Sequence, residues 1–500
     1  MNKSDIYSKR EKDWRNGTIV YQVLVDRFSP SKDLHQKLDS YQKPKKLMNW
    51  KELPKRGPFL NDVKYFEHEL EYWGGDLKSL NEKMAYIKNL NIDVLYLNPI
   101  HYSVSNHKYD ASDYLQISPE FGTFEDLKIL SDTVHNNNIK IMLDGVFNHV
   151  GVSSPLFQEA KNPKSTKHDW FYFNSKYEDG VRLWADVKSL PELNLENPEV
   201  RDYIYRGNDS VIKTYLKLGI DGWRLDVAFD LGYEVLAELT AAAHEEKPDS
   251  MIVGEIWNYP KDWFNSIDGV MNFTFYEIIM KTIKGKIKPL HSLQMITKVI
   301  EDSGIENILK SWTVLDNHDV SRLRNQLPSK KDQQLAQIMQ FTLPGSPNLY
   351  YGNELGMKGG VDPKNRAPMR WDLVADDNPY LKWTKSLISL HHQERALRVG
   401  DYVSLLTHQL IGYERKTDDV TDTVLILLNP THKSITENVL IPDSKLMNYS
   451  DFITLKGHAK SIQLIAGVLH VTLKPKSYIL LKPRTEPVKS YTSYKRVEQK

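Results

Sequence analysis

Residues 219–230 read GIDGWRLDVAFD and place Arg224 and Asp226 two positions apart inside an apolar run. In a β-strand, residues i and i+2 face the same side, so these two side chains are expected to meet. Two interpretations are open. The pair is either a structural ion pair or a carboxylate kept ionised by its arginine neighbour, which is how a nucleophile is prepared.

Similar short apolar runs recur on both sides of this stretch. Strands are predicted at 18–25, 93–99, 139–147, 221–228, 250–257, 269–276, 311–316 and 348–352. Amphipathic segments such as 75–90 and 123–138 lie between several of them, and this alternation predicts parallel βαβ units. Eight such strands predict an α/β fold, a (β/α)₈ TIM barrel. A doubly wound open sheet is the alternative, but no GxGxxG sequence follows an early strand.

Two segments depart from the alternation. Residues 148–190 are polar and aromatic and too long for an ordinary βα loop, so they are expected to form a small domain inserted after strand three, over the barrel mouth. After about residue 395, strand-like runs follow one another without helical patterns, which predicts a C-terminal antiparallel β-sandwich. The predicted parts are a barrel (1–147 and 191–395), an insert (148–190), a β-sandwich (396–484) and a flexible tail (485–500).

Composition narrows the classes of function. A formal net charge of +1 provides no attraction to nucleic acid or an anionic membrane, and the lack of cysteine excludes disulfides and thiolate metal sites. The N-terminal segment lacks the apolar core of a signal peptide, so a cytoplasmic location and no membrane partner are expected. The 27 Tyr and 11 Trp residues suit stacking on sugar rings, although most such residues pack cores.

Charged residues stand where a barrel places its chemistry, at the C-terminal ends of the strands. Asp144 and His149 close strand three, Arg224 and Asp226 close strand four, Glu255 ends strand five, and His318 and Asp319 follow strand seven. A single aspartate at the end of a strand often has only a structural role. Several like charges buried on one rim cost several kcal/mol, which favours a functional role.

Two carboxyl groups on one rim permit glycoside cleavage, and in the retaining form they lie about 5–5.5 Å apart. Arg224 is expected to favour the ionised form of Asp226, as a nucleophile requires. The apolar sequence neighbours of Glu255 are expected to favour its protonated form, as a general acid requires. Asp319 would stabilise the positive charge that develops on the sugar.

The segments DGVFNH, GWRLDVA, GEIW and DNHD resemble, in order and approximate spacing, four motifs of the α-amylase superfamily, glycoside hydrolase family 13. The resemblance implies a (β/α)₈ barrel, a domain inserted after strand three, a C-terminal β domain and retaining hydrolysis of α-glucosidic bonds. It implies that Asp226 is the nucleophile, Glu255 the general acid/base and Asp319 the transition-state stabiliser. It also implies that the following residues contact substrate: His149, Arg224 and His318 at the cleavage point, Tyr109 as an aromatic platform with His107 nearby, Asp362 and Arg366 on the next glucose toward the non-reducing end, and Trp257 on the leaving-group side.

SLPELN (189–194) and GGVDPKNRAPMRW (359–371) are most similar to the neopullulanase, cyclomaltodextrinase and maltogenic amylase branch, which cleaves small maltodextrins and cyclodextrins. That branch usually carries a β domain ahead of the barrel, but strand one is expected here by residue 18, so the oligomeric state is left open. The chemistry needs no cofactor. The resemblance places Asn148 at a calcium-ligand position, but Asn194 and Asp230 stand at others and the loop DRFSPSKD is poor in ligands, so structural calcium stays open.

The leading hypothesis is a retaining hydrolase of maltooligosaccharides, cyclodextrins or starch. The alternative is a 4-α-glucanotransferase, because both reactions share a covalent glycosyl intermediate and differ only in the acceptor. A non-catalytic glucan-binding protein is disfavoured by the three retained carboxylates. Bond type, chain-length preference and endo or exo action stay open, and the charges of the long segment 29–72 are interpreted as a solvated surface.

Overall fold

A computed structural model describes residues 3–444, 446 and 451–484. Its centre is a closed barrel of eight parallel strands that pair in sequential order, with the last strand closing on the first. The strands are β1 (Val20–Val23), β2 (Val94–Leu97), β3 (Lys140–Gly145), β4 (Gly222–Leu225), β5 (Met251–Ile256), β6 (Gly269–Asn272), β7 (Trp312–Val314) and β8 (Ser346–Tyr350). The predicted TIM barrel is therefore confirmed.

Helices connect the strands around the outside of the barrel. The α-helices are Lys3–Lys12, Val25–Phe28, Leu77–Asn81, Met84–Leu90, Phe124–Asn136, Pro155–Ala160, Pro198–Arg201, Val211–Lys217, Ala228–Glu246, Phe273–Ile283, Pro289–Ser303, Ile305–Lys310, Leu323–Gln326, Lys330–Thr342, Pro379–Gln393 and Arg395–Val399. The helix Phe124–Asn136 shows why such segments form. Thr123 caps its N-terminus by accepting the Asp126 N–H, and its apolar residues recur at helical spacing on the buried face.

The sixth predicted strand, 269–276, is too long by four residues. The strand ends at Asn272 and the helix Phe273–Ile283 begins at once. The reason is local, because the Asn272 side chain accepts the Phe275 N–H at 3.0 Å and caps the helix. Because GVMNFTFY is apolar across this boundary, its sequence pattern does not show where the strand ends and the helix begins.

Side chains fill the barrel interior. Among those packed there are Tyr96, Met142, Val253 and Trp312. One position on the wall requires glycine: a Cβ atom at Gly222 would lie 2.1 Å from the Met251 main-chain oxygen, on the neighbouring strand β5. The parallel register of β4 and β5, in which Leu225 lies opposite Gly254, brings the strand ends that carry Asp226 and Glu255 next to each other.

The C-terminal part consists of two antiparallel sheets. Its strands are β9 (Asp401–Ser404), β10 (Ile411–Lys416), β11 (Val424–Asn429), β12 (Ile435–Leu440), β13 (Phe452–Gly457), β14 (Ser461–Ile465), β15 (Val468–Leu473) and β16 (Ser477–Pro483). One sheet has the order β9-β10-β11-β16-β13 and the other β12-β15-β14, with a separate apolar core between them. This confirms the predicted β-sandwich, while the predicted tail 485–500 lies outside the described residues.

Three further segments shape the barrel mouth. Residues 148–190 carry the helix Pro155–Ala160 and isolated β-bridges such as Phe173 to Val181. Residues 29–72, which we call the extension, form the paired short strands Lys46–Leu47 with Glu71–Tyr72 and Phe59–Leu60 with Tyr65–Phe66. A hairpin of His101–Ser103 and Ala111–Ile117 follows β2. None of the helices in the described parts of the chain is long and apolar enough to cross a membrane.

Candidate active site

The three carboxylates singled out from the sequence line one cleft at the C-terminal end of the barrel. Asp226 directly follows β4, Glu255 lies near the end of β5, and Asp319 follows β7. All three border a cavity of about 400 Å³. Parallel strands that close into a barrel deliver their C-terminal ends to one rim, which is why residues so distant in sequence meet there.

Arg224 lies beneath the cleft and is fully buried. Its Nη1 atom is 2.7 Å from Asp144 Oδ1 and 3.0 Å from Asp226 Oδ1. Its Nη2 atom is 3.1 Å from Glu255 Oε2. The sequence indicated one carboxylate partner for this arginine and the structure provides three. One guanidinium therefore ties the nucleophile and acid candidates to a common support.

The electrostatics around Asp226 differ from the expectation that Arg224 alone sets its charge. Burial raises the pKa of Asp226 well above its ordinary value, and Arg224 opposes this rise. The nearby charges of Glu255, Asp144 and Asp319 raise the pKa of Asp226 further. Since the arginine is shared, each carboxylate receives only part of its stabilisation, and the cluster favours retaining a proton.

Glu255 does not sit among its apolar sequence neighbours. Its Oε2 atom accepts the Val227 N–H at 2.9 Å, and its Oε1 atom accepts the Trp257 indole N–H at 2.9 Å. Adjacent residues of a strand point to opposite faces, so the surroundings of a strand residue come from neighbouring strands and loops. Val227 has φ 39°, an unusual left-handed conformation for a β-branched residue. That conformation belongs to the turn that directs its N–H at Glu255.

Tyr109 and His318 form a flat platform beside Asp226. Their rings stack with centroids 5.2 Å apart and planes 8° from parallel. The Tyr109 hydroxyl donates to Asp144 Oδ2 at 2.8 Å and lies 2.7 Å from His318 Nε2. Gln22 and Asn98 amide nitrogens lie 3.0 and 3.2 Å from His318 Nδ1, which places the ring proton on Nε2. Burial lowers the pKa of His318 well below its ordinary value, so the ring is neutral.

Asp319 is positioned by its own loop and by Arg366. Asn317 accepts the Asp319 N–H at 2.8 Å and donates to Asp319 Oδ2 at 3.1 Å. Asp319 Oδ1 is 3.2 Å from His318 Nε2 and 3.8 Å from Arg366 Nη2. Arg366 also pairs with Asp362 at 3.1 Å. The candidate stabiliser thus adjoins the two residues expected to hold the next sugar.

The remaining sequence-predicted residues also border the cleft. His149 stacks on Trp184, with centroids 5.3 Å apart, and its Nε2 lies 3.1 Å from the Tyr109 main-chain oxygen. His107 stacks on Tyr109 at 5.8 Å. Trp257 lies against Phe273 at 3.7 Å and is 46% exposed. Of the predicted substrate contacts, only Arg224 is absent from the lining, because it lies below it.

Sequence reasoning missed several lining residues. They are Glu69 from the extension, Trp184, Val187 and Leu190 from the 148–190 segment, and Val227 and Phe229 after β4. The predicted position of 148–190 over the barrel mouth was a signal that its aromatic residues, Trp184 among them, line the cleft. No sequence signal identified Glu69. The extension is also not merely a solvated surface, because Lys45 pairs with the fully buried Glu120.

Asn148, the candidate calcium ligand, is buried beside the cleft, and its amide nitrogen lies 3.4 Å from His149 Nδ1. Asn194 donates to a main-chain carbonyl at 2.9 Å, and Asp230 accepts the Trp184 indole N–H at 2.9 Å. Within the described residues, no group of three or more His, Asp or Glu side chains is arranged to hold a metal ion. The calcium assignment of Asn148 stays a prediction, and no step of the chemistry depends on it.

Comparison with known proteins places this geometry in a family. Residues 22–411 match the alpha amylase catalytic domain. A cyclomaltodextrinase of a Bacillus species is 30% identical over 431 residues, 83% of this chain and 73% of that protein. The intracellular maltogenic amylase of Bacillus subtilis is 33% identical over 437 residues, 84% of this chain and 69% of that protein. The crystal structure of a debranching enzyme from Nostoc punctiforme superposes with a TM-score of 0.79 at 29% identity, covering 94% of this chain and 99% of the other. The chain therefore belongs to the alpha-amylase family.

Proposed function

We propose that this protein hydrolyses α-glucosidic bonds of maltooligosaccharides and cyclodextrins with retention of configuration. The observation that carries the proposal is the shared contact of Asp226 and Glu255 with the single guanidinium of Arg224, at the floor of a cleft that both carboxylates line. Two neighbouring carboxyl groups on one open rim are what a covalent double displacement requires. The names of the cyclomaltodextrinase and maltogenic amylase relatives support the choice of substrate class.

In the first step, the Asp226 carboxylate attacks the anomeric carbon while Glu255 gives its proton to the departing glycosidic oxygen. The bond between that carbon and oxygen breaks, and a glycosyl ester of Asp226 forms. In the second step, Glu255 removes a proton from water, whose oxygen attacks the same carbon and frees Asp226. Asp319, which lines the same cleft, is assigned to stabilise the cationic sugar between these states.

The protonation states of Asp226 and Glu255 in these two steps depend on each other. A protonated Glu255 removes one of the like charges that raise the pKa of Asp226, and Arg224 then favours the Asp226 anion. The first step of a double displacement uses the ionised form of Asp226 together with the protonated form of Glu255. Burial and like charge alone would leave the nucleophile protonated.

The test combines two substitutions with a stereochemical measurement. Asp226→Asn and Glu255→Gln should each reduce kcat on maltotriose by several orders of magnitude. Proton NMR of the first wild-type product should show the α-anomer, because two inversions restore the configuration. Wild-type activity in Asp226→Asn, or a β-anomer first, would refute the proposal.

A second candidate is transfer of the glycosyl unit to another sugar, as in a 4-α-glucanotransferase. The observation in its favour is the apolar side of the cleft next to Glu255, where Trp257 is 46% and Phe229 36% exposed. Flat aromatic faces bind a sugar acceptor and compete with water for the intermediate. Chromatography of products from maltotriose decides between them: oligomers longer than the substrate indicate transfer, and only shorter ones indicate hydrolysis.

We also propose an intracellular location, which is supported by the word intracellular in the name of the Bacillus subtilis relative. Fractionation of the producing cells, with the activity assayed in each fraction, tests this. Activity confined to the culture medium would contradict it.

A further inference from the structure

The extension is fastened to the barrel at several points. Lys45 pairs with Glu120, whose side chain has no exposure, and Glu120 also lies 3.3 Å from the buried Lys108. The Trp50 indole N–H donates to the Met369 main-chain oxygen at 3.1 Å. Hydrogen bonds from tryptophan and buried ion pairs fix a segment in place. The extension therefore presents its side chains to the cleft from a defined position.

Glu69 is the residue of the extension that lines the cleft. Its main-chain oxygen accepts the Asn106 N–H at 2.7 Å, and its Oε2 atom accepts the Phe66 N–H at 2.6 Å. Its Oε1 atom is 3.5 Å from His107 Nε2, and the side chain is 26% exposed. Burial by itself would raise the pKa of Glu69, but His107 and the Phe66 N–H lower it below its ordinary value. The cleft thus contains a fixed anionic acceptor that the chemistry at Asp226 and Glu255 does not use.

The cleft has two chemically different sides. Glu255 contacts Trp257, so the apolar side is the side of the general acid. Because the acid protonates the leaving group, the apolar side receives the leaving group. Glu69 lies beside the aromatic platform, because its partner His107 stacks on Tyr109. Sugars on the non-reducing side of the cleavage point therefore approach Glu69.

We propose that Glu69 is a specificity-determining residue, whose carboxylate accepts hydrogen bonds from the hydroxyl groups of the glucose unit next to the one on Tyr109, toward the non-reducing end. This inference rests on the proposed function. A hydrogen bond to a charged group contributes enough for about a tenfold change in affinity. Substrates that place two glucose units on this side gain it, and substrates that place only one do not.

The experiment compares two chromogenic substrates with the same leaving group, p-nitrophenyl α-maltoside and p-nitrophenyl α-glucoside. The measured quantity is the ratio of their kcat/KM values for release of nitrophenol. Glu69→Ala should lower the maltoside-to-glucoside ratio about tenfold, mainly through KM for the maltoside. Glu69→Gln keeps an oxygen acceptor and should recover part of the ratio. Asp62→Ala, an exposed acid of the same extension that is not in the cleft lining, is the matched control and should keep the wild-type ratio.

Two results would overturn the inference. An unchanged ratio in Glu69→Ala would show that the carboxylate does not contact this sugar. An equal fall for both substrates would show that Glu69 acts on the reacting centre through His107. Thermal unfolding of Glu69→Ala and Glu69→Gln shows whether each variant folds. If Glu69→Ala does not fold, the substrate ratio of Glu69→Gln is the deciding measurement.

Binding measured without turnover separates this inference from the proposed function. In an Asp226→Asn background, calorimetry with maltotriose should give a Kd about tenfold weaker when Glu69→Ala is added. A wild-type protein that cleaves neither maltotriose nor the two chromogenic substrates refutes the proposed function, and the calorimetric comparison then tests Glu69 by itself. An equal Kd with and without Glu69→Ala refutes the inference while leaving the proposed function intact.

Discussion

Asp144 and Arg224 form a fully buried ion pair, with Oδ1 and Nη1 2.7 Å apart, directly under the candidate catalytic carboxylates. The two residues stand opposite each other in the register of β3 and β4. Asp144 also accepts hydrogen bonds from the Tyr96 and Tyr109 hydroxyls. This carboxylate therefore supports both the guanidinium and the aromatic platform, while remaining outside the cleft lining.

Removing the charge of Asp144 should destabilise the protein. Asp144→Asn leaves Arg224 with Asp226 and Glu255 as its buried counter-charges but weakens the hydrogen bonds from Tyr96 and Tyr109, which costs about 1–3 kcal/mol of unfolding free energy. Urea unfolding measures the change. Asp179→Asn, which alters an exposed pair with Lys188, is the control and should cost under about 1 kcal/mol. Equal losses in the two variants would show that the buried position of Asp144 is immaterial.

Activity should fall on acidification at a pH above the ordinary range for an aspartate. Burial raises the pKa of Asp226, and the enzyme needs this group ionised, so kcat/KM is lost as the pH falls through that raised pKa. An ionised Glu255 raises the pKa of Asp226, so Glu255→Gln, which is always neutral, should shift the acidic limb toward lower pH. The measurement is kcat/KM against pH on an activated aryl glycoside, whose leaving group does not need the acid. An acidic limb that does not move in Glu255→Gln would contradict the coupling.

The indole of Trp257 should control the balance between transfer and hydrolysis. Trp257→Ala removes the aromatic face on the leaving-group side and should lower the ratio of transfer to hydrolysis products from maltotriose by a few-fold, to about tenfold at most. Trp257→Phe keeps a ring but loses the hydrogen bond to Glu255, so it separates stacking from the effect on the acid. If Trp257→Phe shows the same product ratio as Trp257→Ala, stacking is not the cause.

The sequence was sufficient for the barrel because its strands are short apolar runs separated by amphipathic helices. The run from Gly269 to Tyr276 was the exception, since apolar residues continue across the change from strand to helix and only the Asn272 cap marks it. The β-sandwich followed from the loss of helical periodicity after residue 395. In each case a local pattern carried the information.

The site was only partly accessible to such reasoning. Asp226, Glu255 and Asp319 were predicted to share one rim, and they line one cleft, because chain position at a strand end fixes which rim a residue occupies. The donors around Glu255 were not all found: Trp257, two residues further on, shares its face, but the Val227 N–H comes from the turn after β4. Glu69 entered the cleft through tertiary packing of a long segment, which neither periodicity nor composition encodes.

The buried pairing of Glu120 should make stability fall between about pH 5 and pH 2. Burial alone would raise the pKa of Glu120, but Lys108 and Lys45 lower it to about 2. A carboxylate with a depressed folded-state pKa contributes stability above its unfolded-state pKa, and that contribution is lost as the pH falls through the folded-state pKa. The lowered pKa corresponds to about 3 kcal/mol. Burial lowers the pKa of Lys108 to about 8, a cost that stays constant in this range because Lys108 remains protonated.

Urea unfolding of the wild type and of Glu120→Gln between pH 5 and pH 2 measures this contribution. Glu120→Gln should be less stable at pH 5, because Lys108 then lacks its buried counter-charge. Its stability should also fall less on acidification, so the two curves converge toward pH 2. Parallel curves would show that protonation of Glu120 is not what acid changes.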